Sequence, residues 1–318
     1  MHLGPGRIIL SSEDLLLWCP TAVAWEGRWW LFHSRWSRRL GHQAWVTHSS
    51  VGVSVADDLQ GPFGPSEEIL SGTGGAAWDG GALHNPMVIA GPDRLWMFFM
   101  ANHGGARPGQ VADEATWWEH RNHQRIGVAW ATHPRGPWQR VPGPVIGPHN
   151  TPFPTIMASN PSVTFDRNGG VRMIFKCVEP GPPPFGGRVV HLMAEAERPE
   201  GPYRILPEPV LTAPGVQFPA EDPTLWQDEA GWQVICKDMR GSFSGIGTSL
   251  VAFRSDDGRR WVPQAPALVS GLTVSLADGT RRTFDKLERP AITADRRHLL
   301  AAALTGDRQD LLLFPLLP

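Results

Sequence analysis

The stretch Phe218-Pro219-Ala220-Glu221-Asp222-Pro223-Thr224-Leu225-Trp226 sets two adjacent carboxylates against a proline at the head of an apolar run. Four other places carry the same shape, at Trp18-Cys19-Pro20, His84-Asn85-Pro86, Ser159-Asn160-Pro161 and Glu288-Arg289-Pro290. The five prolines stand 66, 75, 62 and 67 residues apart, a period that suggests radial repetition of a small sheet. After each proline comes an apolar strand, a turn and a second apolar strand. Thr21 to Trp25, the turn Glu26-Gly27 and then Arg28 to Phe32 form a hairpin by alternation and turn chemistry. The segments after Pro86, Pro161, Pro223 and Pro290 repeat it.

A third strand and a second turn also recur, at Gly61-Pro62-Phe63, Gly136-Pro137-Trp138, Gly201-Pro202-Tyr203 and Gly258-Arg259-Arg260-Trp261. An aromatic after each turn implies one packing task in four copies, so these four rings are assigned to the core. The inference is an all-β chain: a single domain over 1–318, folded as a five-bladed β-propeller of small antiparallel sheets with an axial pocket. Its blades span approximately 14–75, 79–148, 155–212, 217–270 and 284–318, with 7–10 supplying the outer strand that closes the ring. Each inner strand starts at a proline motif, where the missing N–H need not be laddered. Helix is expected only in short pieces, around 113–121.

Lys plus Arg number 29 against 31 Asp plus Glu, so the net charge of -2 gives no electrostatic reason for a nucleic-acid or anionic-membrane partner. The 35 Gly and 31 Pro imply many turns. Fifteen Trp beside one Tyr supply flat apolar faces for packing or for stacking on a ligand ring. Three cysteines in a chain this long read as free thiols of a reducing compartment. The start Met1-His2-Leu3-Gly4-Pro5-Gly6 lacks a signal-peptide pattern, and a soluble cytoplasmic protein is expected. His120 and His123, at i and i+3 with no Cys nearby, do not make a metal site by spacing, and neither a phosphate-cradling glycine loop nor a serine nucleophile elbow is present. No cofactor and no metal are expected.

Inner strands of a propeller converge on the axis, so the residues before each proline crowd one mouth of the channel. Trp18, Cys19, His84, Asn85, Ser159, Asn160, Glu221, Asp222, Glu288 and Arg289 therefore share one pocket, with Asp14 just upstream. Here the chain resembles the five-bladed glycosidases of the family 43 and family 32 type, and more closely a group of family 43-like glycosidases. The resemblance is carried by Ser12-Glu13-Asp14, Phe32-His33-Ser34-Arg35-Trp36, Gly41-His42-Gln43-Ala44-Trp45, His120 to Gly127, Pro219 to Pro223 and Lys237-Asp238-Met239.

Such hydrolases need two carboxyl groups, one protonated to assist the leaving oxygen and one ionised. By the resemblance Asp14 is the candidate base, with Asp79 as an alternative, and Glu221 is the candidate acid. Asp222 or Asp238 would tune that acid, a neighbouring carboxylate raising its pKa. The chain departs from the family in carrying Cys19 where an Asp precedes the first-blade proline, and Asn85 and Asn160 in the next two blades. Arg35, Trp36, His84, Asn85, Arg121, Asn160, Lys237 and Arg289 are the candidate substrate-binding residues. Against these stand blander readings: Asp222 as a turn opener, Glu288-Arg289 as an internal ion pair, Arg35-Trp36 as a structural stack. The function expected is an exo-acting glycoside hydrolase of oligosaccharides or glycosides; the alternatives are a non-catalytic sugar-binding propeller and, more weakly, a protein-interaction propeller.

Overall fold

The computed structural model describes residues 1–104 and 109–318. Five antiparallel sheets surround an axis, and their inner strands touch in cyclic order. Blade one runs outward through Leu15–Trp25, Arg28–Ser37, Ser50–Ala56 and Glu67–Leu70. The inner strands of the others are Leu83–Ala90, Met157–Phe165, Ala220–Asp228 and Lys286–Ile292. The five-bladed propeller expected from the spacing is the fold observed.

Each second strand packs on both faces against neighbouring blades, which is why segments such as Val171–Val178 are buried almost throughout. A separate apolar cluster fills each of the five interfaces between blades. Phe98, Val128, Val163 and Phe175 join blades two and three, for example, and Leu17, Leu31, Leu300 and Leu313 join one and five. The hairpin after the first inner strand closes through Glu26 and Gly27, both at positive φ (50° and 75°), the geometry a two-residue turn between twisted strands requires. Phe63 is buried, and Trp138 packs edge-on against Phe32 as the repeated turns predict.

Arg7–Ser11 pairs with Arg308–Leu317, so the chain's first residues close the fifth blade. A short ribbon, Thr273–Ser275 with Arg281–Thr283, fills the gap left unassigned between blades four and five and places Val274, Leu276 and Phe284 in their shared core. The helix Glu114–Asn122 starts where Asp113 accepts a hydrogen bond from the Thr116 N–H at 2.7 Å.

One backbone device repeats in all five inner strands. Cys19, Asn85, Asn160, Asp222 and Arg289 have φ between 53° and 56°, and the strand pairing slips at each of them. These are bulges, in which one residue leaves the ladder and its side chain is re-aimed. A left-handed conformation costs a non-glycine residue roughly 1–3 kcal/mol and persists where the surroundings over-determine it. Five copies on one axis mark what the fold is built around.

Candidate functional site

The five bulge side chains meet on the axis and close it. Cys19 Sγ donates to Asn85 Oδ1 at 2.8 Å, Asn85 Nδ2 to Asn160 Oδ1 at 2.6 Å, and Asn160 Nδ2 to Asp222 Oδ1 at 2.8 Å. Arg289 reaches the same Asp222 oxygen at 2.7 Å. Cys19, Asn85, Asn160 and Asp222 are buried and Arg289 largely so, and against them lies a cavity of about 40 Å³ lined by the plug, the five prolines and the residue after each. Burial pushes the Cys19 thiol up to about 12, against the nearby Arg289 charge, so it is neutral. Burial also raises Asp222, to about 6, with Arg289 opposing and the Glu221 and Glu288 charges adding to it.

One residue earlier in each motif, the side chain lies on the blade face instead, opposite a residue of the second strand. The pairs are Trp18 with Ser34, His84 with Met100, Ser159 with Lys176, Glu221 with Lys237, and Glu288 with Ala302. Across the blade interfaces these produce a charged chain. Lys176 Nζ donates to Glu221 Oε1 at 2.7 Å, Lys237 Nζ lies 3.9 Å from Glu221 Oε2, and Lys237 also binds Glu288 Oε1. Burial would raise Glu221, but Lys176, Lys237 and Arg289 outweigh it and hold the carboxyl well below the usual carboxylate range. Lys237, though buried, is raised by Glu221 and Glu288. Glu221 is therefore an ionised carboxylate between two ammonium groups.

The blade-one and blade-two side of this layer is aromatic. His84 stacks on Trp45 with ring centroids 4.7 Å apart, lies 5.7 Å from the Trp36 ring and contacts Ser49 Oγ at 3.1 Å. Burial lowers its pKa far below the ordinary histidine value. His42 packs edge-on against Trp18 and contacts Lys286 Nζ at 3.2 Å. Above blades two and three, Arg121 lies over the rings of Trp118 and Phe185, at 5.5 and 5.0 Å, and donates to Phe185 O at 2.8 Å. Among the described residues, no group of three or more His, Cys, Asp or Glu is arranged to hold a metal ion.

Neither family models nor curated proteins match this sequence. Solved structures do. An endo-arabinase from Bacteroides thetaiotaomicron VPI-5482 superposes with a TM-score of 0.61 at 12% identity, over 98% of both chains. A family 117 glycoside hydrolase from Zobellia galactanivorans gives 0.64 at 11% identity, over 98% of this chain and 89% of its own. A thermostable family-43 glycoside hydrolase gives 0.63 at 11%, over 96% and 91%. The architecture is theirs, five-bladed and nearly end to end; at such identities the likeness establishes the fold.

The structure gathers Glu221, Lys237, His84, Arg121, Asn85, Asn160, Asp222 and Arg289 at one end of the axis, in two layers: the plug takes Asn85, Asn160, Asp222 and Arg289, and the others lie above it. The expectation of an acid–carboxylate pair with unequal pKa values holds for Glu221 and Asp222, but in the opposite sense to that read from the sequence. Glu221 is the ionised member and Asp222 the one pushed up, because the lysines face Glu221.

The structure gives five of the sequence-predicted site residues other surroundings. Asp238 is wholly buried, and its oxygens accept from the N–H groups of Arg240, Ser242, Phe243 and Ser244, so it anchors the loop beyond its own strand. Asp79 is held by Thr73 Oγ1 at 2.8 Å and lies 3.3 Å from Arg140. Arg35 donates to Ser66 O within blade one, and Trp36 is buried with its N–H on Gly41 O. Asp14 is exposed at the rim, where its backbone carbonyl receives the Arg38 N–H. The Glu288-Arg289 pair is also split, Glu288 going to Lys237 and Arg289 to Asp222.

Sequence reasoning missed Lys176, the closest cation to Glu221. The signal was available: a lysine inside the apolar run Ile174-Phe175-Lys176-Cys177 is rarely buried without a partner.

Proposed function

We propose that this protein is an exo-acting glycoside hydrolase whose working carboxylates are Glu221 and Glu288. One observation carries the reading: the two acids come from adjacent blades and bind the same ammonium, Lys237, above a plugged axis. Paired carboxylates of glycosidases work at separations of roughly 5–9.5 Å, and two groups held by one ammonium fall close enough to flank a single bond. The plug makes the site blind, which favours a chain end over a chain interior. Glu221, ionised between Lys176 and Lys237, suits the base or nucleophile; Glu288 is the partner carboxylate from the next blade, and acting as the acid requires it to exchange its Lys237 contact for a proton when substrate enters. Asp14, the base expected from the sequence, stands at the exposed rim and has no part in this scheme. The three free cysteines favour a reducing, cytoplasmic setting.

The test is a panel of oligosaccharides and aryl glycosides with product analysis on wild type, Glu221→Gln and Glu288→Gln. Release of terminal sugar that falls by at least about 10²-fold in both variants supports the assignment; release at the wild-type rate from either variant overturns it for that residue. A second reading, a non-catalytic sugar-binding propeller, draws on a specific observation: the position before the first proline holds the neutral, buried Cys19 thiol in place of a carboxylate. Sugar binding by wild type with no bond cleavage across the panel would favour it.

A further inference from the structure

Arg121 is a buried cation without a carboxylate of its own. Its NH1 donates to Asn122 Oδ1 and Phe185 O, both at 2.8 Å, and its plane lies against the Trp118 and Phe185 rings. Among the described residues no carboxylate forms an ion pair with it; Glu221 acts on it only at longer range and is already bound by Lys176 and Lys237. A guanidinium removed from water and left uncompensated is costly, and its planar fork matches a carboxylate in two-pronged fashion.

Two further buried polar atoms, on neighbouring segments of blades two and three, lack partners. Gln124 follows Arg121 by three residues and its backbone carbonyl receives the Ala158 N–H, so it sits against the start of the third inner strand. Its Nε2 is buried without a hydrogen-bond partner. Ser159, next in that strand, is fully buried, lies directly opposite Lys176 on the same blade face, and its Oγ is equally unsatisfied. Buried polar atoms are nearly always hydrogen-bonded, so two unsatisfied donors on the segments next to those carrying the unpaired Arg121 guanidinium and the Lys176 ammonium supply the groups a receptor for an oxygen-rich anion needs.

We propose that the terminal sugar taken by this site is acidic, a hexuronate whose carboxylate is received by Arg121 with Gln124 and Ser159 as supporting donors. This rests on the glycoside reading above and adds the substrate class to it. The aromatic walls of Trp118 and Phe185 hold the guanidinium plane in position, and Lys176 adds positive potential without giving up Glu221.

The experiment measures binding by calorimetry at low salt, using methyl galacturonoside and methyl glucuronoside against methyl galactoside and methyl glucoside. Wild type and Arg121→Gln are compared, with Arg121→Lys as a variant that keeps charge and loses the fork; circular dichroism confirms that each is folded. The expected result is a preference for a uronoside over its neutral counterpart of roughly 10–100-fold in wild type, reduced in Arg121→Lys and abolished in Arg121→Gln. Equal affinity for acidic and neutral sugars, or a preference that survives in folded Arg121→Gln, overturns the inference. Should Arg121→Gln fail to fold, Gln124→Leu with Ser159→Ala must lower the preference, and an undiminished one overturns it. Uronoside binding without cleavage of any uronoside would leave this inference standing and remove the hydrolase reading; cleavage of neutral glycosides with no acidic preference would do the reverse.

Discussion

Replacing Lys176 with methionine keeps the length and apolar stem of the side chain and removes the charge 2.7 Å from Glu221. The Glu221 side chain is 16% exposed, so solvent screens the loss only in part. An opposite charge at this range lowers a carboxyl pKa by roughly 1–3 units, which at about 1.4 kcal/mol per unit makes Lys176→Met less stable by roughly 1.5–4 kcal/mol at neutral pH. With an unfolding entropy of roughly 2 cal/mol/K per residue, that is a fall in Tm of roughly 2–6 °C for this chain. The sign with pH follows from Glu221 being held below its unfolded value. The stabilisation is complete above the unfolded pKa, about 4.3, and is lost as pH falls through the folded one. Urea unfolding followed by tryptophan fluorescence at pH 7 and 5 should show the same gap between wild type and variant at both, because the unfolded-state titration is common to the two and the gap closes only as pH falls through the folded Glu221 values. Adding Glu221→Gln to Lys176→Met should recover part of the loss, since the uncompensated charge is gone. A gap below about 0.5 kcal/mol at pH 7, the size of an exposed surface pair, or one already lost at pH 5, would refute the assignment of an ionised, lysine-held Glu221.

Three other outcomes are expected. All three cysteines are buried, and burial raises the pKa of each, so a thiol reagent should label none in the native protein and all three in guanidinium; rapid native labelling of Cys19 would mean the axial plug opens. Asp238→Ala leaves four N–H groups of the loop over residues 240–244 without their acceptor; a loss of more than about 3 kcal/mol and faster proteolytic cutting in that loop are expected, and a protease pattern like wild type's would count against the anchoring role. Deleting residues 2–11 removes the strand that pairs with Arg308–Leu317 and should unlatch blade five, read as a Tm lowered by at least about 5 °C or failure to fold; an unchanged Tm would show that closure does not depend on it.

The ring was legible because proline marks each inner strand and turn chemistry marks each hairpin, signals that are local in sequence. The site was legible to the extent that residues before each proline had to converge. What could not be read was the direction of each side chain, because the left-handed bulge decides it: it turns Asn85, Asn160 and Asp222 onto the axis and leaves Glu221 on the blade face. Arg35 and Trp36 show the same limit, since neighbours in a strand point to opposite faces and cannot both meet one ligand. Asp14 stands just ahead of Leu15–Trp25 and is exposed, five residues before the bulge at Cys19 whose side chain reaches the axis. Lys176 meets Glu221 from another blade, a contact that spacing along the chain does not encode.

The Lys–Glu contact between blades three and four recurs between four and five, as Lys176 with Glu221 and Lys237 with Glu288. At the same second-strand position the other blades carry Ser34, Met100 and Ala302, so the repeat makes the site one-sided. Blades three to five carry ions there, while blades one and two carry a packed aromatic group, Trp18, Trp36 and His84 buried and Trp45 partly exposed. A sugar ring has the same asymmetry, with hydroxyls at its edge and C–H groups on its face, and Trp45, the partly exposed member of the aromatic group, is the ring available to that face. A purely structural role for the two ion pairs would not need the opposite wall to be aromatic, nor would it leave Arg121 buried without a counter-ion at the boundary between the halves. The unbalanced charge sits where the ionic and aromatic walls join, and that is where a negatively charged substituent on a stacked ring would arrive.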